Sequence, residues 1–170
     1  NPTILYAQDW VGDYCDNPGG LAADTAQGYW NVIVDRPGSY EVELRRWPKE
    51  SNKTRTRGWA EGPGGSKKSS RPIAAARLQI SGSDETIDTA DETKNATFRV
   101  RLTAGKNQHE TTFMDANVDA PCSAIYTYVR RLDGKEAKAA ALTSSSDRKA
   151  TGLPKSESPE RVFCEISVES

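Results

Sequence analysis

The feature that most constrains the fold is a period-two alternation of apolar and polar residues through the middle of the chain. Successive side chains of a β-strand point to opposite faces, so such a segment predicts a strand with one face on a core. The alternation is clearest in four segments, whose apolar positions are Trp30, Val32 and Val34; Tyr40, Val42 and Leu44; Ala76, Leu78 and Ile80; and Phe98, Val100 and Leu102. Further strands are predicted at 1–8, 110–114, 124–129 and 162–168.

Turn-forming residues separate the predicted strands. Pro37-Gly38 fits a type II turn, and the Gly-containing segment 102–107 fits a hairpin loop. About eight short strands joined in this way predict an all-β fold, an antiparallel β-sandwich that is jelly-roll-like, as in carbohydrate-binding modules. We assign residues 1–132 to the sandwich, with a basic insertion at 51–71. Residues 133–170 form an extension whose final strand is expected to pack on the sandwich.

Charge and hydropathy narrow the class of partner. The chain has 23 basic and 24 acidic residues, a net charge of −1, which argues against general nucleic-acid binding. No apolar run approaches the length that a membrane-spanning helix needs. We therefore expect neither a nucleic acid nor a membrane as partner.

The residues that nucleophilic catalysis requires are scarce. Such catalysis needs a nucleophile, a base within hydrogen-bond reach and a group that orients the base. The one histidine, His109, lies in a polar alternating strand beside Glu110, where a surface position is expected. A pair of carboxylates assembled in space remains open, since 24 acidic residues offer no way to select two of them. We predict no catalytic residue in this chain.

Metal and disulfide chemistry are equally limited. Three scattered cysteines and one histidine do not supply a zinc site. Cys15, Cys122 and Cys164 are interpreted as buried thiols, with one bridge from Cys164 to either of the others as the alternative. No cofactor is expected beyond a structural calcium ion, for which Asp13 and Asp16 are weak candidates. The pairs Asp84 with Asp88 and Asp115 with Asp119 are other loop acids, and solvated carboxylates are the simpler interpretation.

The basic insertion is the sharpest ligand signal. It carries six basic residues and one acidic residue, a local charge of +5, around Trp59. Arginine pairs with sulfate, carboxylate or phosphate through two parallel hydrogen bonds, and an indole face stacks on a sugar ring. An anionic, sulfated glycan is the ligand hypothesis, and a solvated or docked loop is the alternative. The candidate ligand-binding residues of the insertion are Arg55, Arg57, Trp59, Lys67 and Lys68.

A second candidate lies at the end of the strand that begins near Tyr40. Pro48 ends this strand because it has no N–H to donate. Alternation predicts that Arg45 and Trp47 leave the core face while Arg46 lies on it. Arg45 and Trp47 are therefore candidate ligand contacts. A fixed ion-pair corner that uses Glu50 as the local acid is the favoured alternative.

The same residues carry a family resemblance. The segments Gly28-Tyr29-Trp30-Asn31-Val32 and 36–50, with the corner Leu44-Arg45-Arg46-Trp47-Pro48, resemble the C-terminal segment of bacterial arylsulfatase-like proteins. The resemblance spans about residues 1–132, and the Arg-Arg-Trp-Pro corner is its distinctive part. The catalytic Cys/Ser-x-Pro-x-Arg motif of that family is absent from this chain.

The resemblance implies a noncatalytic accessory domain of an arylsulfatase-like hydrolase, assisting the binding of sulfated or other anionic glycans. It also implies a sulfatase catalytic domain in the parent chain as partner, and a periplasmic or extracellular location. An independent carbohydrate-binding module and a structural interdomain or oligomerisation domain are the alternatives.

Overall fold

The structure is a computed structural model that describes residues 2–15, 25–53, 73–90, 93–115, 121–136 and 166–168. This part of the chain contains ten strands and two short 3-10 turns, Ala7–Asp9 and Lys49–Ser51. The strands are β1 Thr3–Tyr6, β2 Val11–Gly12, β3 Gly28–Val34, β4 Gly38–Arg45, β5 Ala75–Ile80, β6 Ser83–Asp88, β7 Ala96–Leu102, β8 Gly105–Met114, β9 Tyr126–Arg131 and β10 Ile166–Val168. Every predicted strand thus has a counterpart.

The strands form two antiparallel sheets. The four-stranded sheet has the order β1-β9-β4-β7, and the six-stranded sheet has the order β10-β3-β8-β5-β6, with β2 also paired to β3. The chain crosses repeatedly between the sheets, as in a jelly roll. The predicted all-β, jelly-roll-like sandwich is confirmed. β10, at the end of the chain, pairs with β3 and so belongs to the same sandwich.

One hydrophobic core lies between the two sheets. Its members come from the alternating segments that the sequence identifies: Trp30, Val32 and Val34 of β3 face Tyr40, Val42 and Leu44 of β4, and all six are at most 1% exposed. The alternating apolar residues of β5 and β7 belong to the same cluster. Facing layers of this kind exclude water from both inner faces, which is the main stabilising contribution to a sandwich.

The sequence missed β6, the edge strand of the six-stranded sheet. Its residues are mostly exposed, and only Ile87 packs against the core, so it has almost no apolar alternation. A two-residue turn sets its register instead: Ser81 and Gly82 have φ of 52° and 78°, and Ile80 pairs with Ser83. Two positive φ values in succession are typical of a type I′ hairpin turn. The Ser-Gly dipeptide was the available signal.

The prediction that His109 is a surface residue is wrong. Its side chain is 0% exposed and packs against Trp30, with ring centroids 5.5 Å apart. The reason is register, because Phe113 and Thr111 also face inward on β8 and alternation continues to His109. Within the described part of the chain, neither ring nitrogen has a hydrogen-bond partner. Burial lowers the pKa of His109 from 6.5 to about 3.

Two cysteines can be placed. Cys15 and Cys122 are both buried, as the thiol interpretation predicts. Cys164 lies outside the described residues, so its pairing stays open. In the described part of the chain, no helix is long and apolar enough to span a bilayer.

Candidate ligand-binding site

A row of three side chains crosses the outer face of the four-stranded sheet at the end of β4. Tyr126 of β9 lies directly opposite Tyr6 of β1 on one side and opposite Arg45 of β4 on the other. Directly opposite residues of antiparallel strands point to the same face, with Cβ atoms about 4.5–5.5 Å apart. The sheet therefore holds two tyrosines and an arginine side by side. We call this set the tyrosine row.

The two tyrosines of the row present an aromatic surface. Their ring centroids are 5.9 Å apart at an interplanar angle of 79°, an edge-to-face pair. The Tyr6 residue is 37% exposed, and Tyr126 is half-buried. Burial raises the pKa of Tyr126, and the neighbouring Tyr128 and Tyr6 raise it further. Its hydroxyl therefore stays protonated at neutral pH and is able both to donate and to accept a hydrogen bond.

Two cations beside the row are held in place by one carboxylate. Glu43 accepts a hydrogen bond from Arg45 Nε at 2.6 Å, and its other oxygen lies 2.6 Å from Lys49 Nζ. Lys49 Nζ also lies 4.2 Å from the ring centroid of Tyr128. Among the described residues, the acid that Arg45 contacts is thus Glu43, where the sequence suggested Glu50. The ion-pair corner exists, with a partner from its own strand.

Trp47, which alternation directs away from the core face, is buried, and so is Arg46, which alternation places on that face. Trp47 is 3% exposed and Arg46 is 4% exposed. The guanidinium carbon of Arg46 lies 5.5 Å from the Trp47 ring, and Lys53 Nζ lies 5.0 Å from it. Alternation failed because β4 ends at Arg45, so strand geometry does not extend to Trp47. The indole is a buried packing element with no open face for a sugar.

The chain segment that borders the tyrosine row carries a small excess of positive charge. The segment from Glu43 to Lys53 contains four cations and two carboxylates, a local excess of two positive charges. The basic insertion follows directly in the chain. Its candidate residues Arg55, Arg57, Trp59, Lys67 and Lys68 lie outside the described residues, so their role stays a prediction.

The calcium candidates are not assembled into a site within the described residues. No group of three or more His, Cys, Asp or Glu side chains comes together there. The Asp13 carboxylate accepts a hydrogen bond from the backbone N–H of Gln27 at 2.9 Å, which gives it a structural role. Asp16 lies outside the described residues, and structural calcium remains a prediction.

The sequence names Arg45 as a candidate ligand contact but does not single out the tyrosines that lie beside it on the sheet. The sequence places Tyr6, Tyr126 and Tyr128 only within predicted strands. Their clustering depends on the pairing of β1 and β4 with β9, which lie far apart in the sequence. The local signal was the Tyr-x-Tyr spacing of 126 and 128, which places two rings on one face of a strand.

Comparisons with known proteins do not name a family. No family model matches the chain, and no curated protein matches it. A solved structure described as a CBM35 from Cellvibrio japonicus Abf62 is similar at 18% identity with a TM-score of 0.36. The match covers 76% of this chain and 86% of that one. So distant a likeness does not identify a ligand for this chain.

Proposed function

We propose that this chain is a noncatalytic carbohydrate-binding domain that holds an anionic glycan at the tyrosine row. The observation that carries the proposal is the register of Tyr6, Tyr126 and Arg45 on one outer sheet face. Tyrosine rings contribute rigid apolar area with a polar tip, which suits the C–H face and the hydroxyls of a sugar. Arg45 and Lys49 supply charge for a sulfate or carboxylate substituent.

The positions of the cations support this ligand class. Glu43 neutralises one of the two flanking cations and fixes both in place, so a ligand meets an ordered positive centre. The Lys49 side chain is 40% exposed, so solvent and ligand both reach it. An ordered charge loses less side-chain entropy on binding than a mobile one.

We further propose that the domain serves as an accessory domain of an arylsulfatase-like hydrolase. The distinctive residues of that resemblance, Arg46 and Trp47, form a buried corner next to the tyrosine row. A corner that fixes the end of β4 would position Arg45 in every protein that shares it. A sulfated substrate would fit both the row and the enzyme.

The test is affinity electrophoresis of the chain in gels with and without dextran sulfate, at low salt and at high salt. We expect retardation by dextran sulfate at low salt and its loss at about 1 M salt, where the Debye length falls to about 3 Å. Tyr6→Ala should weaken retardation about two- to tenfold, which corresponds to about 0.5–1.5 kcal/mol for an aromatic contact. Arg45→Ala should weaken it as well.

Two matched variants distinguish binding at the tyrosine row from nonspecific attraction between the polyanion and basic residues elsewhere on the surface. Tyr6→Phe keeps the ring and should retain most of the binding. Arg101→Ala removes an exposed arginine from the distant end of the same sheet and should change little. Equal losses for Arg45→Ala and Arg101→Ala, or no loss for Tyr6→Ala, would contradict the proposed site.

A further inference from the structure

A second row of side chains crosses the outer face of the other sheet. Glu110 of β8 lies opposite Tyr29 of β3, and Gln79 of β5 lies opposite Glu110. Asp84 of β6 continues the row opposite Gln79, and Val11 of β2 extends it beyond Tyr29. Neighbouring strands lie about 4.8 Å apart, so the five residues span roughly 19 Å. We call this set the amide–carboxylate row.

The polar end of this row borders an open groove of about 510 Å³. One wall is the type I′ turn at Ser81–Gly82, and the other is the start of β8. Ser81 Oγ donates a hydrogen bond to Asn107 Oδ1, and Asn107 Nδ2 donates to the carbonyl of Gly105 at 2.8 Å. The first bond joins the two walls and the second fixes the Asn107 side chain within β8, so the groove is formed before any ligand arrives.

The groove has hydrogen-bonding groups that the fold does not use. Arg77 holds Asp84 through two hydrogen bonds of 2.7 and 2.5 Å, and Gln79 Nε2 adds a weaker one of 3.3 Å. By contrast, the exposed side chains of Gln108 and Glu110 have no protein hydrogen bond in the described part of the chain. An amide and a carboxylate side by side offer donors and acceptors to a polyhydroxylated ligand.

The outer face of the six-stranded sheet differs in charge from the tyrosine row. Asp84 and Glu110 are balanced by Arg77 and Lys106, so the surface has no excess positive charge to attract a sulfate. At the other end of the row, Tyr29 is half-buried and Val11 is 49% exposed. The row thus begins on apolar surface and ends on polar groups. Sugar rings need both, since they carry C–H faces and hydroxyls.

We propose that the amide–carboxylate row is a second binding site, for an uncharged glycan chain laid across the strands of the six-stranded sheet. The rings pack on Tyr29 and Val11, and their hydroxyls bond to Glu110, Gln108 and Gln79. The site is independent of the proposed anionic site, because the two rows lie on the outer faces of different sheets.

The test is affinity electrophoresis in gels containing galactomannan, xyloglucan or soluble starch, each at low salt and at 1 M salt. We expect at least one of these neutral polysaccharides to retard the chain equally at both salt concentrations. Tyr29→Ala should weaken that retardation about two- to tenfold, as loss of a ring contact would. Glu110→Ala should weaken it by about tenfold or more, as loss of a charged hydrogen bond would. Tyr6→Ala should leave it unchanged.

Glu85→Ala is the matched control, because it removes an exposed carboxylate that lies outside the row, next to Asp84. Thermal unfolding of each variant shows whether the fold is kept. No retardation by any of the three polysaccharides would overturn this site, and so would equal losses for Glu110→Ala and Glu85→Ala. Neither result changes what is expected of the dextran sulfate experiment. Each proposal can therefore be refuted without refuting the other.

Discussion

His109 makes the stability of this sandwich depend on pH in a range where few other side chains titrate. It is the only histidine, and a histidine is the side chain whose ordinary pKa lies between 5 and 8. In the folded protein, burial against Trp30 without a hydrogen-bond partner lowers its pKa to about 3. In the unfolded chain the pKa returns to about 6.5.

The sign follows from proton binding. Between pH 6.5 and pH 3 the unfolded chain binds a proton at His109 and the folded chain does not, so acid favours unfolding. The stability that comes from the neutral His109 ring is fully present above pH 6.5 and is lost as the pH falls from 6.5 to 3. At pH 5 the loss is about 2 kcal/mol, and it approaches about 5 kcal/mol below pH 3, from 1.36 kcal/mol for each pKa unit. The pH 5 figure requires only that the folded pKa lies below about 4.

The perturbation is His109→Leu, which replaces the ring with an apolar side chain of similar size. The assay is urea unfolding at pH 7 and pH 5, followed by tryptophan fluorescence. We expect the wild type to lose about 2 kcal/mol more than the variant between the two pH values, a difference of about 1 M in urea midpoint. The variant should also be more stable at pH 7, since it buries no unpartnered nitrogens.

Two carboxylates with shifted pKa values do not disturb the comparison. Hydrogen bonds to Arg77 and Arg130 lower the pKa values of Asp84 and Glu136 respectively. Both carboxylates therefore stay charged at pH 5, and both are present in either protein. If wild type and variant lose the same stability from pH 7 to pH 5, the buried, unpartnered state of His109 is refuted.

Two further predictions concern buried positions, each with a matched control in urea unfolding. Thr127→Val should stabilise the fold by about 1 kcal/mol, because Thr127 Oγ1 is buried without a partner among the described residues. Its control, Thr111→Val, should destabilise the fold by about 1–3 kcal/mol, because Thr111 Oγ1 accepts a backbone hydrogen bond at 3.0 Å. The opposite order would contradict this assignment. Gly28→Ala should destabilise the fold by about 1–3 kcal/mol, because a Cβ there would lie 2.5 Å from the Trp10 ring, while Gly134→Ala meets nothing within 4 Å. Equal stabilities of the two alanine variants would show that the ring moves away freely.

Alternation predicts the core residues because the inner face of each strand can be identified from that strand's own sequence. Trp30, Val42, Leu78 and Phe98 all lie on the inner faces that the period-two pattern assigns. The pattern fails where strand geometry ends or where the inward residue is polar. Trp47 lies two residues beyond the end of β4, so its burial depends on packing at the corner and not on alternation. His109 is polar but shares the inner face of β8 with Phe113. The apolar Phe113, four residues away on the same face, predicts the burial of His109 better than the polarity of its own side chain does.

The proposed binding surfaces are harder to predict, because they depend on the register between strands that are distant in the chain. Tyr6, Tyr126 and Arg45 become neighbours only through the pairings of β9 with β1 and β4. Alternation predicts that these side chains point outward. It does not predict which of them become neighbours on the sheet. The basic insertion needs no strand pairing to be recognised, because its charged residues are consecutive or nearly so in the sequence.

The two outer faces of the sandwich differ in chemistry although the same alternation produces both. A one-residue shift in pairing would move a whole strand's side chains to the other face, so the buried residues fix the register of the exposed ones. The tyrosine row thus owes its alignment to Leu5, Leu44 and Thr127, which lie inward beside it. If the proposed site is real, core substitutions that disturb this register should also weaken the retardation by dextran sulfate. The proposed binding surface would need no cavity, because a rigid sheet aligns its side chains before any ligand arrives.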